Sequence, residues 1–197
     1  KSARLISHRG PDEEKFLFSE NINLSFFRLS IIDLSSNGSQ PMVSVSNNKI
    51  IVFNGEIYNA KILREKLRDF SFRGNSDTEV LLNLYEKYNT GCLEYLEGMF
   101  SFLIYDKVNN SCFISRDRFG IKPLFLKKES DQFLISSEIK PILNYSDKNK
   151  FNKNAFRDFL IKQKMDHKNV TFFKGIESLE KSHFAVIKNN SVKKFKY

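Results

Sequence analysis

Tryptophan is absent from this chain, cysteine occurs twice and histidine three times. Each scarcity excludes something. Cys92 and Cys112 flank a strand-like segment and form neither a C-x-x-C pair nor a metal-ligand spacing, which fits unpaired thiols in a reducing compartment. His8, His167 and His183 are scattered, so no sequence-local zinc site is indicated and no metal is expected. No apolar run is long enough to span a bilayer and the start shows no signal-peptide pattern, so no membrane association is expected and the cytoplasm is the default location. No repeat or low-complexity linker divides the chain. Its 197 residues, 41% hydrophobic and 14% aromatic, are read as one domain spanning 1–197. Twenty Phe suggest a core built on phenylalanine, with Ile and Leu filling between the rings.

A formal net charge of +9 raises the question of nucleic acid. The excess lysines, among them Lys122, Lys140, Lys148, Lys164, Lys168 and Lys194, are spread over turns and helix surfaces. They form no basic stripe interleaved with stacking aromatics. The reading is therefore a solvated surface, or a face docking an acidic neighbouring domain, and no nucleic acid.

Along the chain, a strand is expected over Ile22 to Ile32, then turn signals, then a β-branched strand Ile50 to Phe53 that could pair with it as a long-looped hairpin. Ile62, Leu63, Lys66, Leu67 and Phe70 follow at helical spacing. A second helix opens at Ser76, where Ser-x-x-Glu ending at Glu79 is a capping-box pattern. Met99 to Tyr105 is apolar on both faces and must be covered on both sides. Cys112 to Ser115, a hairpin of Leu124–Leu126 with Phe133–Ile135, helices over Glu138 to Leu143 and Lys153 to Lys164, and a last hairpin of Phe184–Lys188 with Val192–Lys196 complete the pattern. Strand pairs, helix pairs and more strands indicate α+β architecture with antiparallel sheets and helices outside.

The most informative stretch is Asn54-Gly55-Glu56-Ile57-Tyr58-Asn59, directly after the Ile50 to Phe53 run. Taken alone, Asn-Gly is the commonest hairpin dipeptide and reads as a turn. An amide, an open backbone N–H and a carboxylate at one mouth also suit a ligand that carries a reacting carbonyl and a cation. The choice depends on the other blocks: His8-Arg9-Gly10-Pro11-Asp12, Arg28-Leu29-Ser30-Ile31-Ile32-Asp33, Gln40-Pro41-Met42, Gly74-Asn75-Ser76-Asp77-Thr78-Glu79, Gly98-Met99-Phe100-Ser101-Phe102 and Arg116-Asp117-Arg118-Phe119-Gly120-Ile121-Lys122-Pro123-Leu124.

In that order and at those separations, the set resembles the glutaminase domain of glutamine-hydrolysing asparagine synthetases, class II glutamine amidotransferases of the N-terminal-nucleophile hydrolase superfamily. The resemblance implies a four-layer αββα sandwich, two antiparallel sheets covered by helices. It implies L-glutamine as ligand, with Arg28 on the α-carboxylate, Glu56 and Asp77 around the α-ammonium, and backbone contacts from Leu29, Ser30, Ile31 and Ile32. Asn54 Nδ2 and the Gly55 N–H would form the oxyanion hole, and Gly55 is needed where a Cβ would intrude. The His8 and Arg116 blocks are read as an internal ion-pair lattice supporting the pocket. No cofactor is implied for this domain. ATP and magnesium would serve a C-terminal synthetase domain of the same protein, and the parent has room to be a homodimer.

The family begins with a cysteine that is nucleophile and, through its α-amine, base. This sequence begins Lys1-Ser2-Ala3, and Cys92 and Cys112 are interior. A nucleophile-bearing segment is therefore expected ahead of Lys1, and Lys1 to Ser7 read as the tail of an element begun earlier. The alternative is a catalytically silent glutamine-binding or scaffold domain. Ser25-Phe26-Phe27 stands where relatives often show Gly-His and a further Arg, and the Ser-Gly-Gly-x-Asp-Ser nucleotide loop of the synthetase domain is not in the sequence.

Overall fold

The computed structural model describes residues 1–146, 149–163 and 169–197. Lys148, Lys164, His167 and Lys168 lie outside the described residues, as does the expected end of the fourth helix at Lys164. A six-stranded antiparallel sheet is the spine: β11 (Ser191–Lys196), β10 (His183–Lys188), β6 (Ser111–Arg116), β5 (Gly98–Asp106), β4 (Lys49–Ile57) and β3 (Met42–Val43), in that spatial order. The central strand β5 pairs residue by residue with β4, from Lys49↔Asp106 to Ile57↔Gly98.

Period-2 alternation sends the side chains of these strands to two different cores. Phe100, Phe102 and Ile104 of β5, with Ile51, Phe53 and Ile57 of β4, pack against α1 (Ala60–Lys66) and α2 (Asp77–Tyr88) through Leu63, Val80, Leu81 and Leu84. Leu103 and Tyr105, with Ile50 and Ile114, face the opposite way and meet Leu24, Leu124, Leu126 and Leu179. These belong to a second β layer made of two hydrogen-bonded pieces: β1 (Glu13–Phe18) with β2 (Asn23–Arg28), and β8 (Gln132–Ser136), β7 (Phe125–Glu129) and β9 (Ile176–Ser178). Outside them, α3 (Ile139–Tyr145) packs on β7, β8 and a 3₁₀ segment at Ser2–Arg9. The order helix, sheet, sheet, helix is the αββα sandwich. The fourth helix, α4 (Lys153–Lys162), ends in a left-handed Gln163 and lies beside a cluster of Phe151, Phe156, Phe159 and Phe172.

Several expectations change. The Ile22 to Ile32 strand stops at Arg28, and it pairs with β1 rather than with the Ile50 strand. β1 was not expected, because its Glu13-Glu14-Lys15 start masks its alternation. Asn54-Gly55 is no turn: β4 runs through it to Ile57. Five phenylalanines, Phe27, Phe53, Phe100, Phe102 and Phe113, are buried, while Phe18, Phe119, Phe151, Phe156 and Phe195 are exposed; leucine fills more of both cores. At the start of α2, Ser76 Oγ accepts the Glu79 N–H as an N-cap should. The reciprocal half of the capping box is diverted. Glu79, almost fully buried, instead accepts the backbone N–H groups of Arg73 at 2.9 Å and Gly74 at 3.0 Å, tying the preceding strap to the helix.

Candidate functional site

Gly55 explains why the chain can build a site in mid-strand. A Cβ there would stand 2.1 Å from the Met99 carbonyl oxygen, and φ is +156°, so only glycine lets β4 lie this close to β5. Among the described residues, the outer edge of β4 beyond β3 has no partner strand. Side chains take its place. Gln40 Oε1 accepts the Phe53 N–H at 2.6 Å, and Asp77 Oδ2 accepts the Ile57 N–H at 3.0 Å. Gly55 is midway between these two, and strand alternation aims its N–H at the same edge. On the other side, Phe100 directs its backbone to Asp117, giving its N–H to Oδ2 at 3.3 Å and accepting the Asp117 N–H at 2.8 Å.

Asn54, Glu56 and their cross-strand partners Ser101 and Met99 alternate onto the face between the sheets. There a cavity of about 1050 Å³ is lined by every residue singled out from the sequence: Arg28, Leu29, Ser30, Ile31, Ile32, Asn54, Gly55, Glu56 and Asp77. The rims of β2 and β8 line it as well. Among the described residues, two buried side-chain polar atoms have no hydrogen-bond partner, Asn54 Nδ2 and Ser101 Oγ. Buried polar groups are nearly always paired, so two orphans facing one cavity mark where a ligand's polar atoms belong.

Asp77 is 6% exposed. Burial pushes its carboxyl above the ordinary aspartate value, against the N–H groups of Ile57, Thr78 and Asp77 itself that favour the anion; the neighbouring Glu56 adds to the rise. An acidic pair in which one member is reluctant to ionise is completed by a cation. Arg28 is also buried, and its fork is already engaged. Nη1 donates to Glu13 at 3.2 Å, while Nη2 donates to the carbonyls of Asp33 and of Ser35, the latter at 3.0 Å. It therefore clasps the loop after β2, leaving Nε and part of Nη1 for anything else. That loop, not a strand, carries Leu29, Ile31 and Ile32, all exposed at the cavity mouth, and Ser30 donates its N–H to Asp12 at 2.7 Å.

The His8 and Arg116 blocks mostly buttress the cavity, although Arg9, Lys122 and Leu124 reach its lining. His8 and Arg9 both reach Glu138, at 2.9 and 3.3 Å. Asp117, fully buried, accepts the N–H groups of Phe119, Ile121 and Lys122, and Arg118 donates to the carbonyls of Leu96 and Leu93. Much of this lattice thus joins charges to backbone, not to opposite charges. Burial holds the Cys92 and Cys112 thiols up at about 12, so neither is a ready nucleophile. No cluster of three or more His, Cys, Asp and Glu that could hold a metal occurs among the described residues, and none of their helices is long and apolar enough to cross a membrane. Sequence reasoning passed over Ser101 and gave Gln40 no role. A lone hydroxyl inside the apolar Met99 to Tyr105 run was the available signal for the first.

The αββα sandwich is shared with the glutamine amidotransferases, and the chain belongs to the glutamine amidotransferase domain family, whose model matches residues 1–197. It is 39% identical over 190 residues to glutamine-hydrolysing asparagine synthetase 2 of Bacillus subtilis, covering 94% of this chain and 25% of that protein. It is 38% identical over 143 residues to glutamine-hydrolysing asparagine synthetase B of Escherichia coli, covering 72% of this chain and 26% of that one. The chain spans about a quarter of the length of these curated relatives. Among solved structures, glutamine phosphoribosylpyrophosphate amidotransferase from B. subtilis superposes with a TM-score of 0.63 at 19% identity, over 88% of this chain and 34% of the other, which shows the shared fold.

Proposed function

We propose that this chain is the glutaminase part of an asparagine-synthetase-like amidotransferase, acting on L-glutamine in the cavity between the sheets. Asp77 and Glu56 take the α-ammonium, the remaining donors of Arg28 take the α-carboxylate, and backbone groups of Leu29 to Ile32 close over the ligand. Asn54 Nδ2 and the Gly55 N–H stabilise the oxyanion that forms when the side-chain carbonyl is attacked, a task in which one donor is typically worth about 2.7–4 kcal/mol. The observation that carries this reading is the unpartnered Asn54 Nδ2 beside an acidic pair in one cavity.

A cavity of about 1050 Å³ exceeds what one amino acid fills, which supports room for a nucleophile-bearing segment ahead of Lys1 as well as the ligand. A cysteine thiol on that segment would add to the side-chain carbonyl, forming the C–S bond and the tetrahedral oxyanion, whose collapse to the thioester would then break the C–N bond. The cysteine's α-amine would pass the thiol proton to the leaving ammonia, and water would then release glutamate from the thioester. The ammonia would go to a C-terminal synthetase domain, where ATP with magnesium activates aspartate or a related carboxylate. The relatives' glutamine hydrolysis supports this over a silent binding domain.

The test is a glutaminase assay on the protein beginning with its native cysteine, beside Arg28→Ala and Asp77→Ala. Loss of a charge-assisted contact of about 1.5–3 kcal/mol lowers kcat/KM roughly 10- to 150-fold in each. Wild-type kcat/KM in both variants would remove the pocket assignment.

A further inference from the structure

The proposed reaction uses one of the two orphaned polar groups and leaves the other, Ser101 Oγ, without a task. Ser101 is 2% exposed in a strand that is otherwise Gly, Met, Phe, Leu, Ile, Tyr and a terminal Asp. It lines the same cavity as Asn54 and stands directly opposite it in the β4–β5 ladder. Directly opposed residues present their side chains on one face with Cβ atoms about 4.5–5.5 Å apart. Alanine would fill the same space without burying a hydroxyl that nothing satisfies. A polar group kept where an apolar one fits better needs a partner that arrives from outside.

We infer that Ser101 is a substrate-contacting residue that reads the side-chain amide of glutamine, its Oγ accepting an N–H of the carboxamide while Asn54 Nδ2 donates to the carboxamide oxygen. This rests on the glutamine reading and deepens it. A carboxamide presents an acceptor oxygen and a donor nitrogen side by side in one plane. Asn54 Nδ2 can only donate, whereas a hydroxyl can also accept, so the opposed pair is complementary to both ends of that group. An ester offers no N–H and only a weakly accepting alkoxy oxygen, so the hydrogen bond that Ser101 Oγ accepts is lost. The pair therefore selects for an amide over the corresponding ester, because a site built to hydrogen-bond a group discriminates against analogues lacking it.

The experiment is calorimetric titration of the whole protein, with the proposed nucleophilic cysteine replaced by alanine in every sample so that neither ligand is turned over, with L-glutamine and with L-glutamic acid γ-methyl ester, which keeps the carbonyl oxygen and replaces the N–H donors by an ether oxygen. The wild-type protein binds glutamine more tightly than the ester. Ser101→Ala weakens glutamine about three- to tenfold and leaves the ester within twofold, erasing the preference. Asn54→Ala weakens both. The melting temperature of unliganded Ser101→Ala stays level or rises, since an unsatisfied buried hydroxyl is removed. Equal loss of both ligands in Ser101→Ala, no loss of either, or a lowered melting temperature would overturn the inference while leaving the glutamine reading intact. A wild-type protein that binds neither ligand would overturn both.

Discussion

Asp77→Asn separates function from stability at a single atom. In the unliganded protein this carboxylate is almost wholly buried, and it is held above the ordinary aspartate range by that burial and by Glu56. The folded state therefore binds its proton more readily than the unfolded chain. Stability from this group is lost as pH rises through the raised value and is regained as pH falls through it. Asparagine has nearly the same shape, keeps an oxygen to accept the Ile57 N–H now 3.0 Å away, and carries no charge to desolvate. Unliganded Asp77→Asn should melt at or above the wild-type temperature at pH 7, each ~1 kcal/mol of relief appearing as roughly 2–4 °C. Glutamine binding should fail in the same variant, because a charge-assisted contact to the ammonium contributes about 1.5–3 kcal/mol, or roughly 10- to 150-fold in Kd. Thermal melts with and without glutamine, combined with calorimetric titration, read both effects when the proposed nucleophilic cysteine is replaced by alanine so that glutamine is not turned over. A variant several degrees less stable that binds glutamine as before would show that Asp77 serves only to tie β4 to α2.

Other substitutions test the frame. Gly55→Ala places a methyl 2.1 Å from the Met99 carbonyl and should abolish folding, seen as loss of soluble protein or of its cooperative melt. Glu79→Ala strands the N–H groups of Arg73 and Gly74 and should cost about 3 kcal/mol or more in urea unfolding. Burial works against the charge of Asp106, but the Lys49 ammonium at 2.9 Å and the Asn109 contacts outweigh it and hold its carboxyl at about 2. Its contribution is present above the unfolded value and fades as pH falls through about 4 toward 2, amounting to about 2 kcal/mol; Asp106→Asn should flatten the acid limb of the stability profile.

How much could be read beforehand follows from how far each feature reaches along the chain. The β-branched run before Asn54 and the helical spacing after Asn59 are local signals, and they marked the first half of β4, which runs on to Ile57, and the position of α1, which ends at Lys66 short of Phe70. The doubly apolar Met99 to Tyr105 run announced a strand covered on both sides, which β5 is. The strand β1 was illegible because charged residues at its start obscure an alternation that only its pairing with β2 reveals. Counting phenylalanines could not show which rings turn inward. At the site, residue types and order pointed to Arg28, Asn54, Glu56 and Asp77. Their contacts were not readable, since Glu13 meets Arg28 only through the β1–β2 register and Gln40 meets Phe53 only through the bend before β3. Ser101 needed the ladder that sets it against Asn54.

The side-chain stitching of the β4 rim has a further effect. A bare sheet border is a template on which foreign chains can polymerise. Here the Gln40 carboxamide and the Asp77 carboxylate occupy alternate positions along that border, so an approaching extended peptide finds its hydrogen-bonding register already taken at Phe53 and Ile57. The two clasps that frame a receptive gap at Gly55 thus also guard the protein against self-association along this margin.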